Sequence, residues 1–412
     1  MSFKYKAILL FFYILFLFYS TLIPFEFEKM SFHQAFQEFL KEKAFFSVGV
    51  SWTDVVSNLI LFGVYGFLFG VFSPKSFAGP LWVGAGLITG VSLSALIEFL
   101  QCFSPARVST LRDVLVDSIG VLAGLIAGIF FLWVWHRLFS QCIKRAYQAN
   151  PWLIPLFFYI AYIVFLQFFP FYVSISVSDI WHAVKTAEWI PFSQMPAVHR
   201  ADYWDSFFQE MASYYILAFL LGKVFFDSRE GSLKKMPAVF LCVFFALGVE
   251  WVQLAIPART TSMTEILGAL LGAFMGMILM KRRTGVILGI YLWILMGSYL
   301  APFAFNFKER HDFCWIPFYA YFYHTTYWAY LDLMEVFFLW LPFGFLAGAQ
   351  AAQKGKKFSL IRLGILGFLS AFLLERIQVF IPERTPEITD ALISCGAWMV
   401  GGRMGRKIKN ER

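Results

Sequence analysis

The sequence predicts an all-α polytopic membrane protein with about twelve transmembrane helices, on three observations. Hydrophobic residues make up 59% of the 412, charged residues only 15%, and the mean hydropathy is +0.67; soluble domains carry nearer to a quarter charged residues. Apolar stretches of about 20 residues, the length a helical crossing needs, recur along the whole chain. Lys and Arg are divided unevenly between the segments that join them, as membrane topology requires. The same composition excludes disorder, a secreted disulfide scaffold and nearly every soluble enzyme. The five cysteines, Cys102, Cys142, Cys242, Cys314 and Cys395, are scattered without a CxxC spacing. They read as small apolar fillers.

Taken in order, the apolar windows fall near 6–24, 53–73, 81–101, 113–135, 152–172 and 203–225, then near 236–256, 264–281, 284–304, 328–350, 360–381 and 387–404. The first follows Lys4 and Lys6 and ends in Thr21-Leu22-Ile23-Pro24. Without a small-residue cleavage site, it reads as a retained helix and not as a signal peptide. With the N-terminus in the cytoplasm, 22 of the 34 Lys and Arg residues fall on cytoplasmic segments and 11 on the other side, with Arg376 inside a span. That bias places both termini in the cytoplasm. It also explains the net charge of +8 without nucleic acid, for which no reading module is present.

A five-residue pattern recurs three times: Glu98, Gln101, Pro105, Arg107, Asp113; then Glu250, Gln253, Pro257, Arg259, Glu265; then Glu375, Gln378, Pro382, Arg384, Asp390. The spacing is identical in all three, and glycines follow the last acid. Looser features repeat with it. Each unit opens with a span ending in Pro-Phe (Pro24, Pro170, Pro302), and two carry Trp-Ile-Pro-Phe in the next loop, at Trp189–Phe192 and Trp315–Phe318. The second span of a unit has a polar entry, as in Asp54 and Asn58 or Asp332 and Glu335. The chain therefore divides into four-span repeats over 1–136, 152–281 and 282–412, with a basic cytoplasmic linker at 137–151. An even number of spans gives every repeat the same orientation, so all three motifs face the extracytoplasmic side.

Glu98 and Gln101 share one face of a helix end. Pro105 terminates that helix, Arg107 follows in a short loop, and Asp113 opens the next span. A carboxylate, an amide, a guanidinium and a second carboxylate thus converge at headgroup depth, where ionisable groups are costly and mark candidate sites. Arg suits bidentate contact with a phosphate, the Glu suits proton transfer, and Gln suits orientation of a substrate. The alternative is structural: Thr110-x-x-Asp113 and Ser262-x-x-Glu265 look like capping boxes, and the Arg and Gln could clip the loop. The candidate catalytic set is Glu98, Gln101, Arg107, Asp113, Glu375, Gln378, Arg384 and Asp390. Asp54, Asn58, Glu250, Gln253, Arg259, Glu265 and Asp332 are secondary. Five of the six histidines lie in extracytoplasmic segments without ligand spacing, so no metal and no cofactor is expected.

At these residues the chain resembles the VanZ-like family, named after a bacterial protein associated with teicoplanin resistance. The likeness lies in "YSTLIPF", "DVVSNLILF", "WIPF" and E-x2-Q-x3-P-x-R leading to an Asp and glycines, and it runs through three tandem copies. The resemblance implies a helical protein of the bacterial inner membrane whose outward site acts on lipid headgroups or lipid-linked envelope precursors, as a headgroup hydrolase or transferase, with a link to glycopeptide resistance. A non-catalytic lipid binder or transporter and a structural protein are the competing readings. The chain departs from the family pattern where an Asn usually follows the motif acid by four residues: Asp117, Ala269 and Ser394 stand there. The second copy has Glu265 for Asp, and Ser206 where Asp54 aligns, which favours the first and third copies as the competent ones.

Overall fold

The structure, a computed structural model, describes residues 3–22, 27–40, 52–73, 80–104, 111–135, 137, 141, 145–146, 148, 150–174, 176–195, 200–226, 236–279, 283–308, 310–319, 326–355 and 359–408. Among them it is helical throughout. The helices are α1 (Phe3–Leu22), α2 (Phe32–Leu40), α3 (Trp52–Val71), α4 (Pro80–Gln101), α5 (Leu111–Val134), α6 (Leu153–Phe168) and α7 (Val177–Thr186). They continue with α8 (Arg200–Leu221), α9 (Met236–Gln253), α10 (Met263–Leu279), α11 (Thr284–Leu300), α12 (Thr326–Gln353), α13 (Leu360–Gln378) and α14 (Thr389–Gly405). The described residues contain no strand, only isolated parallel bridges joining Glu188 to Ser262 and Cys314 to Glu387.

Twelve of these helices stand at the apolar windows. Among the described residues, four segments are long and apolar enough to cross a membrane: Leu81–Gln101, Leu111–Val134, Met236–Gln253 and Leu331–Gln353. Others, such as Leu153–Phe168 and Thr284–Leu300, are apolar but shorter. The windows overran the last two for a local reason. Phe169 and Ala301 precede Pro170 and Pro302 and are extended, with ψ of 132° and 146°, because a following proline disfavours the helical region. The next residues, Phe171 and Phe303, take left-handed φ of 60° and 61°, so the chain leaves each helix at a sharp corner. Two helices were not anticipated: α2 and α7 are short and amphipathic, with Phe32, Phe36, Val177 and Trp181 exposed.

The chain forms two compact units, Met1–Lys144 and Arg145–Arg412. In the first, α3 and α5 pack backbone to backbone: a Cβ at Gly124 would overlap the Gly63 carbonyl. In the second, α8 packs on α10 and α12 on α14 in the same way, with Gly272 against the Met211 carbonyl and Gly405 against that of Phe345. Small residues at such crossings replace the hydrophobic drive that lipid does not supply. The core of the second unit is aromatic, and some of its buried hydroxyls are answered by backbone carbonyls. Tyr215 and Tyr291, fully buried, donate to the Ile287 and Leu339 carbonyls at 2.9 and 2.7 Å.

Candidate functional site

Each motif is first a clamp on the end of the helix that precedes a Pro-Phe pair. The motif Gln donates its side-chain N–H to the carbonyl three residues before the Pro of Pro-Phe: Gln101 to Thr21 at 2.9 Å, Gln253 to Gln167 at 3.4 Å, and Gln378 to Tyr299 at 2.9 Å. The motif Arg takes two more carbonyls of the same helix end. Arg259 donates Nε to Phe169 at 3.2 Å and Nη2 to Leu166; Arg384 donates Nε to Ala301 at 2.9 Å and Nη2 to Ser298. These carbonyls have no intrahelical donor, and a cation suits the negative end of a helix. The motif Glu closes the loop, because Glu250 accepts the Ser262 N–H and Glu375 the Glu387 N–H, both at 2.9 Å. Thr264 and Thr389, just before the motif acids, receive the N–H of Phe192 and Phe318 at 2.9 and 2.8 Å. That docks both Trp-Ile-Pro-Phe loops.

What lies beyond the clamp differs between the second and third motifs. At the third, Arg384 Nη1 pairs with Asp205 of α8 at 3.0 Å. Asp205 in turn accepts from Ser298 and, at 3.0 Å, from Gln209. Asp390 accepts the Tyr299 hydroxyl at 2.9 Å, and that oxygen receives the Trp340 indole N–H at 2.9 Å. Its polar groups are answered internally.

The second motif opens on a cavity of about 130 Å³ between α6, α8, α10 and α12. Arg259 and Glu265 line it together with Gln167, Gln209, Glu210, Asp332 and Glu335. Among the described residues, no hydrogen bond or ion pair takes Nη1 of Arg259. Gln167, which holds the place of Tyr299, donates to Glu210 and receives Gln253 Nε2 at 2.7 Å. The Glu250 and Glu265 carboxyls lie within hydrogen-bonding reach of each other.

In the first unit, Glu98 and Gln101 are buried on α4, and Asp113 pairs with Arg112 at 3.5 Å. Asp117 is buried one turn further along α5, with Oδ2 accepting from Ser94 at 2.6 Å, close to Glu98 and Asp113. Pro105, Arg107 and the Asp54 side chain lie outside the described residues, and Asn58 is half-buried on α3. In the second unit, Asp332 joins Arg259 and Glu265 at the cavity, whereas Glu375, Gln378, Arg384 and Asp390 gather at the closed third site. Sequence reasoning overlooked Asp205, Gln209 and Glu210, although three such residues in the apolar window 203–225 were a visible signal.

It also overlooked Glu188. This buried loop carboxylate accepts from Ser262, Tyr203, Thr264 at 2.7 Å and the Gln194 N–H at 3.1 Å. Burial pushes its pKa up, but those four donors outweigh burial and hold it below the usual carboxylate value. Arg376, the charge inside a span, lies over the Phe313 and Trp315 rings at 5.0 and 5.9 Å, a cation–π arrangement. Among the described residues, no group of three or more His, Cys, Asp or Glu is placed to hold a metal ion.

The profile of the VanZ/LLP1 family matches residues 8–134 and 156–296. The third motif lies beyond the matched regions. No curated protein and no solved structure matches the chain. Over more than half its length the chain carries the family's sequence on a helical, apolar framework: it is a membrane protein of the VanZ/LLP1 family.

Proposed function

We propose that the protein takes the phosphate-bearing headgroup of a membrane lipid or lipid-linked envelope precursor into the polar cavity of the second unit. The observation that carries this reading is Arg259, clamped through Nε and Nη2 yet lining a cavity together with Glu265. A guanidinium fixed in this way is a preorganised anion contact. Beside it, the Glu250–Glu265 pair is placed to pass a proton to a leaving oxygen and recover it from the attacking water or hydroxyl. Hydrolase or transferase chemistry on the headgroup is the reading we favour over simple binding. The twelve helices, as three parallel repeats with both termini cytoplasmic, would set the motifs at the outer face of the bacterial inner membrane. Altered lipid-linked precursors there would connect the protein to glycopeptide resistance.

A second reading, a purely structural motif, is favoured by the clamps themselves, since Gln serves a helix end in all three copies and Arg does so in the second and third. Comparing the lipids and lipid-linked precursors of wild-type, deletion and Glu265→Gln strains separates the two. A headgroup change shared by the deletion and the Glu265→Gln strain, with the variant protein accumulating normally, supports the chemistry. Identical profiles in wild type and deletion would remove it.

A further inference from the structure

We infer that the short helices α2 and α7 are membrane-surface helices, each lying along the headgroup–acyl boundary of the bilayer with its aromatic face in lipid. A repeated pattern and a repeated anchor carry this. In α2, Phe32, Ala35, Phe36 and Phe39 fall at i, i+3, i+4 and i+7, and in α7 so do Val177, Ile180, Trp181 and Val184. That spacing gathers the apolar residues on one side of each helix, with Gln34 and Gln37, or Asp179 and His182, opposite. The apolar side is left open. No residue of α7 is buried, Val177 and Trp181 are 83% and 58% exposed, and Phe32 is 70% exposed.

The anchor sets the depth. Glu28 and Ser174, each three residues after the Phe of a Pro-Phe pair, donate their N–H to the carbonyls of Phe103 and Ala255 at 2.8 and 2.7 Å. Those carbonyls stand two residues past Gln101 and Gln253, where the membrane-length segments Leu81–Gln101 and Met236–Gln253 end. Each short helix therefore starts within four residues of a point pinned to the end of a span. Phe32 and Phe39 of α2 set their rings 5.3 and 6.1 Å from Phe99, in the last turn of α4. Before α7, the exposed Phe165 of α6 meets the exposed Phe171 at 5.7 Å. The apolar surface of α6 thus continues into the corner from which α7 departs. At 9 and 10 residues, the helices are about 15 Å long, half the hydrocarbon thickness, so neither can cross. Trp and Phe suit the boundary, and Lys185, 5.1 Å over the Trp181 ring, can reach from there to water. Against Glu38 and Asp179, Lys185 is their one basic residue other than histidine. The apolar side and not anionic lipid therefore supplies the attraction.

The test uses full-length protein whose native cysteines are replaced by Ala, reconstituted in phosphatidylcholine vesicles. An environment-sensitive fluorophore is attached at Phe36→Cys or Trp181→Cys, and for comparison at Gln37→Cys or His182→Cys. Phe32→Cys and Val177→Cys serve should the first pair fold poorly. Lipids spin-labelled near the headgroup should quench the first pair several-fold more than aqueous iodide does, at a depth of about 5–10 Å. The order should reverse for the second pair, and phosphatidylglycerol should change neither. Iodide quenching of the first pair as strong as that of the second would put the helices in water and overturn the assignment. Quenching by neither agent would show protein over the apolar face and overturn it as well. Quenching that needs phosphatidylglycerol would overturn the apolar attraction. Neither helix lines the cavity of the second unit, so each of these results leaves the headgroup reading where it stands.

Discussion

The second and third motifs share a scaffold almost atom for atom and differ in what they leave unfinished. In both, Gln and Arg hold the carbonyls of a Pro-Phe corner, Glu holds a loop N–H, and a Thr before the motif acid docks the Trp-Ile-Pro-Phe loop. Beyond that frame, Arg384 is neutralised by Asp205 and Asp390 is held by Tyr299, whereas Arg259 and Glu265 face a cavity. The difference teaches that identity of motif is not identity of role. The Gln and Thr contacts and the Arg–carbonyl contacts are structural in both copies, and the residue types around them decide whether a copy is closed or open.

The largest expected effect breaks what the copies share. Gly272→Ala and Gly405→Ala would each push a Cβ into a carbonyl of the partner helix, at a cost of about 3 kcal/mol or more. Thermal unfolding in detergent should show a large loss for both, and little for Gly248→Ala, where no atom lies within 4 Å of the added carbon. Equal behaviour of all three would contradict the close-packed crossings. Next comes the residue that separates the copies. Arg384→Gln removes a partly buried ion pair and two carbonyl contacts, and should destabilise by about 3 kcal/mol. Arg259→Gln removes no ion pair and should cost about half as much.

A smaller effect concerns Glu188, whose place before the second Trp-Ile-Pro-Phe loop is held by Cys314, while Glu387 stands across the bridge in place of Ser262. The Glu188 pKa is held below the usual carboxylate value in the folded protein. Its stabilisation is therefore present above the unfolded value, and is lost as pH falls through the folded pKa. Between pH 6 and about 3, wild type should lose stability that Glu188→Gln, already about 1.5 kcal/mol weaker at neutral pH, does not. Parallel pH curves for the two proteins would contradict the assignment.

Much of this was legible in the sequence because it rests on local rules. Apolar windows located the helices, and proline positions located their ends to within a few residues. The identical motif spacing marked the clamps, although it could not say whether Arg384 or Arg259 would be answered by a carboxylate. That depends on Asp205, which stands on α8 and meets Arg384 179 positions away in the chain. The preference for the third motif over the second follows from the departures Glu265 and Ser206, and those same residues border the cavity on which the proposed function rests. The helices α2 and α7 escaped notice because they are too short and too polar for a window tuned to crossings. Asp117, conspicuous as an acid in an apolar helix, has its local partner in Ser94.

The central claim is that the second motif is the open site and the third a closed brace. Phospholipid retained per folded molecule in Arg259→Gln and Arg384→Gln tests it most directly. Arg259→Gln should stay folded and lose its tightly held lipid, while Arg384→Gln should be less stable but keep the wild-type amount in each folded molecule. Wild-type retention by Arg259→Gln, or an equal loss in both variants, would contradict it.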